Sequence, residues 1–344
     1  MRIAIATVNV PFIVGGSEYL VRGLERALAA AGHEVDVVTQ PFRFAPPREV
    51  LRAMDVWRSE DLTALPYVPD KVICLKFPAY GARHPNKVLW LTHQHREAYD
   101  LRGRSPADGD GAGSERDAFR ARIKQFDDEM LGAFRERFTI GRRVSERLAE
   151  HNGLASSVLW PPPPETGGFY CAPAEDFVFF PSRLEGLKRQ SLLIEAMRHV
   201  TTPVCALLAG EGGLRAQLER DIAAGGLAGR VRLLGRVSSA QLRSLYAMSL
   251  AVFFAPFDED YGYVTIEAML SSKPVISCSD AGGPLEFVVH DETGLVVAPE
   301  PAAIALAIDT LWRDKQRAEE MGRAGKRRYD GLGLDWQRVV ERLV

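Results

Sequence analysis

Short apolar runs alternate with amphipathic helical segments twice along this chain, and a stretch of consecutive prolines separates the two rounds. A strand–helix–strand repeat of this kind closes as a parallel sheet covered by helices on both faces. In the first round, residues 3–8 form an apolar run, Val14-Gly15-Gly16-Ser17 a glycine turn, and residues 19–31 a helical stripe of Leu20, Leu24, Ala27, Leu28 and Ala31. Gly32 ends that helix, and a second strand follows over 34–39. The pattern predicts further strands at 71–75, 87–92 and 138–140, with a helix at 145–150. The second round predicts strands at 177–181, 204–209, 231–234, 250–255, 274–277 and 294–297. Helices are expected at 190–198, 214–224, 239–248, 263–270 and 301–313, and a last helix at 335–344.

The chain has 344 residues, more than one hydrophobic core usually serves. Prolines 161–164 form a stiff extended connector, which puts the expected boundaries at 1–163, 164–330 and 331–344. The fold class is α/β, two doubly wound Rossmann-like domains facing across a cleft. Open parallel sheets bind ligands beyond the carboxyl ends of their strands, at topological switch points.

A formal net charge of -2 gives no global attraction to nucleic acid, so any anion site must be local. Cys74, Cys171, Cys205 and Cys278 have no paired spacing and read as reduced, mostly buried thiols of a cytoplasmic protein. No apolar run approaches the ~20 residues that span a bilayer. Residues 102–114, rich in Gly, Ser, Asp and Arg, read as a mobile surface loop. The helix expected over 114–132 carries both signs of charge, the pattern of a solvated helix. Arg135, Arg137, Arg142, Arg143 and Arg147 follow it and leave peripheral membrane contact, or an anionic or lipid-linked acceptor, open.

Three features carry chemistry. Gly15-Gly16 is either a plain tight turn or a close approach of backbone and helix N-terminus to an anion; it is not a G-x-G-x-x-G fingerprint. Arg183 and Lys188 sit in the loop after the first strand of the second round, as a diphosphate grip or as two solvated cations. Glu259 and Glu267 flank Gly262 at a strand–glycine–helix junction, where carboxylates suit sugar and ribose hydroxyls; surface helix acids are the plain alternative.

Taken together, these motifs resemble the family-4 glycosyltransferases of the GT-B fold. The resemblance rests on Gly15-Gly16, on 139–153 with Val158 and Pro161–Pro163, on Arg183-x4-Lys188 and on Gly210-Glu211-Gly212. It continues through Glu259-x7-Glu267, Ala281-Gly282-Gly283-Pro284-Leu285-Glu286 and Gly294-Leu295-Val296-Val297. It implies a retaining, metal-independent, hexosyltransferase-type enzyme that needs no cofactor beyond its nucleotide-sugar donor, UDP-linked before GDP-linked. The acceptor, a sugar, a lipid-linked molecule or a small molecule, is not encoded.

The resemblance also implies roles. Residues 1–163 would serve the acceptor, residues 164–330 the donor, and the last helix would return to the first domain. Arg183 and Lys188 would bind the donor diphosphate, Glu259 the sugar hydroxyls and Glu267 the ribose. Backbone amides at Gly262, Tyr263 and Val264 would meet the sugar or phosphate, Gly15 and Gly16 the diphosphate, and His93 the transferred sugar. Two departures stand out: Arg189 replaces a usual small residue and Ser182 a usual glycine.

Alternatives remain. His93-Gln94-His95 also reads as satisfied loop histidines, or as a metal site that lacks a third ligand nearby, and Asp258-Glu259-Asp260 resembles the D-x-D metal signature of a different glycosyltransferase fold. A nucleotide-sugar epimerase and a non-catalytic sugar-nucleotide binder are the rival functions.

Overall fold

A computed structural model describes residues 1–13, 15–101, 113–163 and 165–344. The chain divides into two compact units, one of 1–164 with 335–344 and one of 165–334.

In the first unit the elements run β1 (Arg2–Asn9), α1 (Gly16–Ala30), β2 (Glu34–Pro41), α2 (Pro47–Ser59), β3 (Lys71–Cys74) and β4 (Lys87–Leu91). They continue with α3 (Gly113–Gly132), β5 (Arg137–Thr139), α4 (Arg142–Asn152) and β6 (Ser157–Val158). The six strands form one parallel sheet in the order β2-β1-β3-β4-β5-β6. Ile3, Ile5, Val72, Ile73, Val88 and Leu89 are buried, as continuous apolar strands covered on both faces must be. Each such side chain contributes about 1.5–3 kcal/mol when fully buried.

The second unit contains β7 (Phe177–Pro181), α5 (Gln190–Met197), β8 (Cys205–Ala209), α6 (Arg215–Ala224), β9 (Val231–Gly235) and α7 (Ser239–Met248). After these come β10 (Ala251–Phe253), α8 (Tyr263–Leu270), β11 (Val275–Cys278), β12 (Gly294–Val297), α9 (Pro301–Arg313) and α10 (Lys315–Gly331). Its parallel sheet has the order β12-β11-β10-β7-β8-β9. In both sheets the first strand of the round has its sequence successor on one side and a later strand on the other. The switch points therefore lie between β1 and β3 and between β7 and β10.

The last helix, α11 (Trp336–Leu343), packs against α1 in the first unit, burying Val339, Val340 and Leu343. Asp335 caps it by accepting from the Gln337 N–H.

Several expectations change. The charged helix α3 is not solvated all round: Asp127 is fully buried, accepting from Tyr80 and, at 2.7 Å, from Tyr99. Burial pushes that carboxyl up to about 7, against the pull of the two tyrosine hydroxyls. Arg147 does not join an exposed basic series either. It is 1% exposed and its Nε lies 3.3 Å from Asp100. Among the cysteines, Cys74 and Cys278 are buried, Cys205 is half-buried and Cys171 is exposed. Of the loop expected over 102–114, residues 102–112 lie outside the described residues, and Gly113 and Ser114 open α3. Val14 of the glycine turn and Pro164 of the connector also lie outside them. Among the described residues no helix is long and apolar enough to cross a membrane.

Candidate functional site

In the second unit, strand β7 is fully buried and ends at Pro181, so the chain leaves the sheet at its carboxyl edge. The next turn, Gly186–Lys188, places Lys188 beside the loop that follows β10. The backbone joins the two loops directly, with Phe257 N–H donating to the Leu187 carbonyl at 2.8 Å. Lys188 Nζ donates to Glu259 Oε2 in an ion pair whose side chains are 16% and 21% exposed. The Lys188 ammonium also lies 5.8 Å from the centre of the Phe254 ring. Two residues separated by 71 positions thus meet across the β7–β10 switch point.

Arg183 behaves differently. It is exposed and its Nη1 donates to Glu185 Oε1 at 2.7 Å. Its backbone carbonyl accepts from buried Gln190 Nε2 at 2.7 Å, which fixes the chain if not the guanidinium.

The Glu259 loop is held from the other side by the loop after β11. Asp258 N–H donates to Asp280 O at 2.9 Å, Glu259 N–H to Ala281 O at 2.8 Å, and Gly283 N–H to Glu259 O at 2.7 Å. Such contact requires glycine: a Cβ at Gly282, where φ is +73°, would lie 2.6 Å from Glu259 O. Gly262 caps the start of α8 with φ +87°, and a Cβ there would lie 2.7 Å from Phe254 Cε1. Tyr263 and Val264 follow as half-buried residues of the first turn of α8.

Glu267, one turn further, does not join the Lys188 pair. It accepts from Tyr246 Oη of α7 at 2.6 Å. Burial pushes its carboxyl up to about 7, and the Tyr246 hydrogen bond only partly counters this.

In the first unit, Gly15 is the extended N-cap of α1, and its N–H donates to Glu18 Oε2 at 2.9 Å. Gly16 is the first residue of that helix. Sequence reasoning missed Lys76, which follows β3 and is 6% exposed. Its Nζ donates to Ser17 Oγ at 2.8 Å and lies 3.7 Å from Glu18 Oε1, so a cation stands beside the glycine turn across the β1–β3 switch point. A lysine in a run of buried residues was the available signal.

His93 follows β4, half-buried, with Nδ1 2.8 Å from the Gln94 carbonyl. His95 is 3% exposed among the rings of Phe42, Phe44, Phe77 and Phe119. Among the described residues, no three His, Cys, Asp or Glu side chains form a group that could hold a metal ion.

Compared with known proteins, the chain superimposes over 99% of its length on 96% of sucrose-phosphate synthase from Thermosynechococcus elongatus, with a TM-score of 0.79 and 19% identity. It also covers 99% of Anabaena Alr3699/HepE in complex with UDP and glucose, with a TM-score of 0.71 and 19% identity. The chain has the GT-B fold. Within it, residues 172–328 match the family Glycosyl transferases group 1. The D-rhamnosyltransferase WbpZ of Pseudomonas aeruginosa is 36% identical over 159 residues, covering 45% of this chain and 41% of that protein. The chain spans less than half the length of the curated relatives it matches. In this GT-B chain the matched segment holds Arg183, Lys188, Glu259, Gly262 and Glu267, all belonging to the second unit.

Proposed function

We propose that this chain is a retaining glycosyltransferase that moves a sugar from a nucleoside diphosphate donor to an acceptor without a metal ion. The observation that carries the reading is the Lys188–Glu259 pair at the β7–β10 switch point, inside the segment that matches the glycosyl transferases. Charge grows on the diphosphate as the glycosidic bond breaks, and fixed cations stabilise it. On donor binding, the Lys188 ammonium turns from Glu259 to a phosphate oxygen and Arg183 adds a second cation. The Glu259 carboxylate then accepts from sugar hydroxyls.

Glu267, oriented by Tyr246, holds the ribose, and the amides of Gly262, Tyr263 and Val264 face the sugar or phosphate. The departing phosphate deprotonates the acceptor on the same face, so catalysis is positioning plus leaving-group stabilisation. UDP is the first donor to test, since a neighbour of the same fold is known with UDP and glucose. Residues 1–163 take the acceptor and residues 164–330 the donor.

The test is nucleotide release from UDP-, GDP-, ADP- and dTDP-sugars, with and without chelator. Release from one of them that persists in EDTA is expected. Release that stops with EDTA and returns with magnesium or manganese ends the metal-independent part of the reading. No release from any donor ends the transferase reading.

A further inference from the structure

Arg189 follows Lys188 with φ +58° and ψ +42°, a left-handed backbone that side-chain-bearing residues seldom adopt. Its guanidinium is spread over two other loops. Nε donates to Ala255 O at 2.8 Å and Nη2 to Pro256 O at 3.0 Å, both at the carboxyl end of β10. Nη1 and Nη2 each donate at 2.8 Å to one oxygen of the Asp280 carboxylate, in the loop after β11. The same Asp280 accepts at its backbone carbonyl from Asp258 N–H. The chain of contacts closes on itself: Lys188 to Arg189, Arg189 to Asp280, Asp280 to the Asp258 N–H, and Glu259, next along the chain, back to Lys188.

We propose that Arg189 is a positioning residue, which sets the distance and direction of the Lys188–Glu259 pair by pinning the loops after β7, β10 and β11 to one planar fork. The inference rests on the sugar-transfer reading above. Only a guanidinium can do this, because the acceptors lie on two sides and an ammonium has no fixed fork. The strained backbone is retained because the side chain is needed there; a glycine would relieve the strain and lose all four bonds.

That contrast supplies the test. R189G keeps a backbone suited to the left-handed region while removing the guanidinium. It is made alone and in K188A, and sugar transfer and nucleoside diphosphate affinity are measured for wild type, both single variants and the double variant. If Arg189 acts through the pair, R189G lowers kcat about tenfold or more in the wild-type background and less than about twofold in K188A. R189K is expected to leave the loss in place. Free guanidinium at millimolar concentration is expected to restore turnover to R189G and not to K188A.

Equal losses from R189G in both backgrounds, or near-wild-type turnover of R189G, overturn the inference. Should R189G not fold by circular dichroism, D280N, which keeps the two carbonyl contacts, replaces it in the same cycle with the same decision. A wild type that binds UDP or GDP yet transfers nothing ends the transferase reading, and the cycle read by calorimetry still decides the role of Arg189. A wild type that binds neither overturns both.

Discussion

Tyr246 of α7 donates its hydroxyl to Glu267 of α8 at 2.6 Å, so the carboxylate assigned to the ribose is oriented before any donor arrives. Burial has raised that carboxyl from 4.5 to about 7. Between those values the folded chain holds a proton that the unfolded chain has released. The contribution to stability is therefore full below about pH 4.5, declines as the pH rises through 7, and is level above. For a half-buried group it amounts to no more than about 3 kcal/mol. Asp127 adds a slope of the same sign, so the difference in thermal unfolding between wild type and E267Q across pH should show the part due to Glu267. Nucleoside diphosphate affinity should run the other way, rising through pH 7 in wild type and flat in E267Q. Parallel curves for the two proteins would remove the assignment.

The Lys188–Glu259 pair predicts a large kinetic effect from small changes. K188A or R183A should each lower turnover by more than about tenfold, since a charge-assisted contact to a leaving group is worth roughly 2–4 kcal/mol in such a site. K188A also strips Glu259 of its counter-charge, so donor affinity should fall along with the rate. Near-normal turnover in both variants would show that the leaving diphosphate is stabilised by other groups.

Much of the fold was legible because strands such as Ile3–Val8 and Phe177–Pro181 are buried on both faces and read as unbroken apolar runs. Helix α10 was not, because its buried stripe is Ala318, Met321, Gly322 and Gly325, which carries almost no hydrophobic contrast within a heavily charged segment. Gly322 is there for approach: a Cβ on it would lie 2.0 Å from Ser272 O. Helix α2 escaped notice although Val50, Met54 and Trp57 mark one face of it.

At the site, the motif spacings named Arg183, Lys188, Glu259 and Glu267, but not that Lys188 pairs with Glu259, nor the partner of Glu267. Tyr246 and Asp280 come from distant parts of the chain and bear no motif. Arg189 stood out only as a departure from a small residue, and its hydrogen bonds become visible once three strands are neighbours. Lys76 is missed for a similar reason, since only the order β2-β1-β3 brings the end of β3 to the turn after β1.

His95 offers a test of the aromatic pocket in the first unit. Burial, helped by the charge of His93, lowers its imidazole from 6.5 to about 4. Glu97 lies 3.9 Å away on the Nε2 side. The unfolded chain takes up a proton as pH falls below about 6.5, whereas the folded chain refuses it until about 4, so stability is full above 6.5 and is lost on acidification. The loss amounts to about 3 kcal/mol at most. Asp127, raised to about 7, contributes in the opposite direction over part of the same range. The difference between wild type and H95F isolates the histidine, and H95F should resist acid better than wild type. Identical acid unfolding of the two would mean that the imidazole is protonated in place.

The final helix makes the most local claim. Trp336 lies over Gly23 of α1, where an added Cβ would sit 2.2 Å from its Cζ2. Its ring meets Trp90 edge-on at 6.2 Å between centroids, and its indole N–H donates to Pro163 O at 3.2 Å. Glycine in mid-helix costs about 1 kcal/mol relative to alanine, so its presence in α1 makes room for the indole. G23A should therefore destabilise the first unit by roughly 1–3 kcal/mol through overpacking, despite its better helix propensity. W336A should also destabilise it, by leaving a void between α1 and β4. In the W336A background the sign of G23A reverses: the methyl enters space the indole has left, and the propensity gain of about 1 kcal/mol appears as stabilisation. Hydrogen exchange of the β1 and β3 amides in the four proteins measures this directly. If G23A is equally harmful with and without Trp336, the glycine answers to some other neighbour, and α11 does not owe its place to this contact.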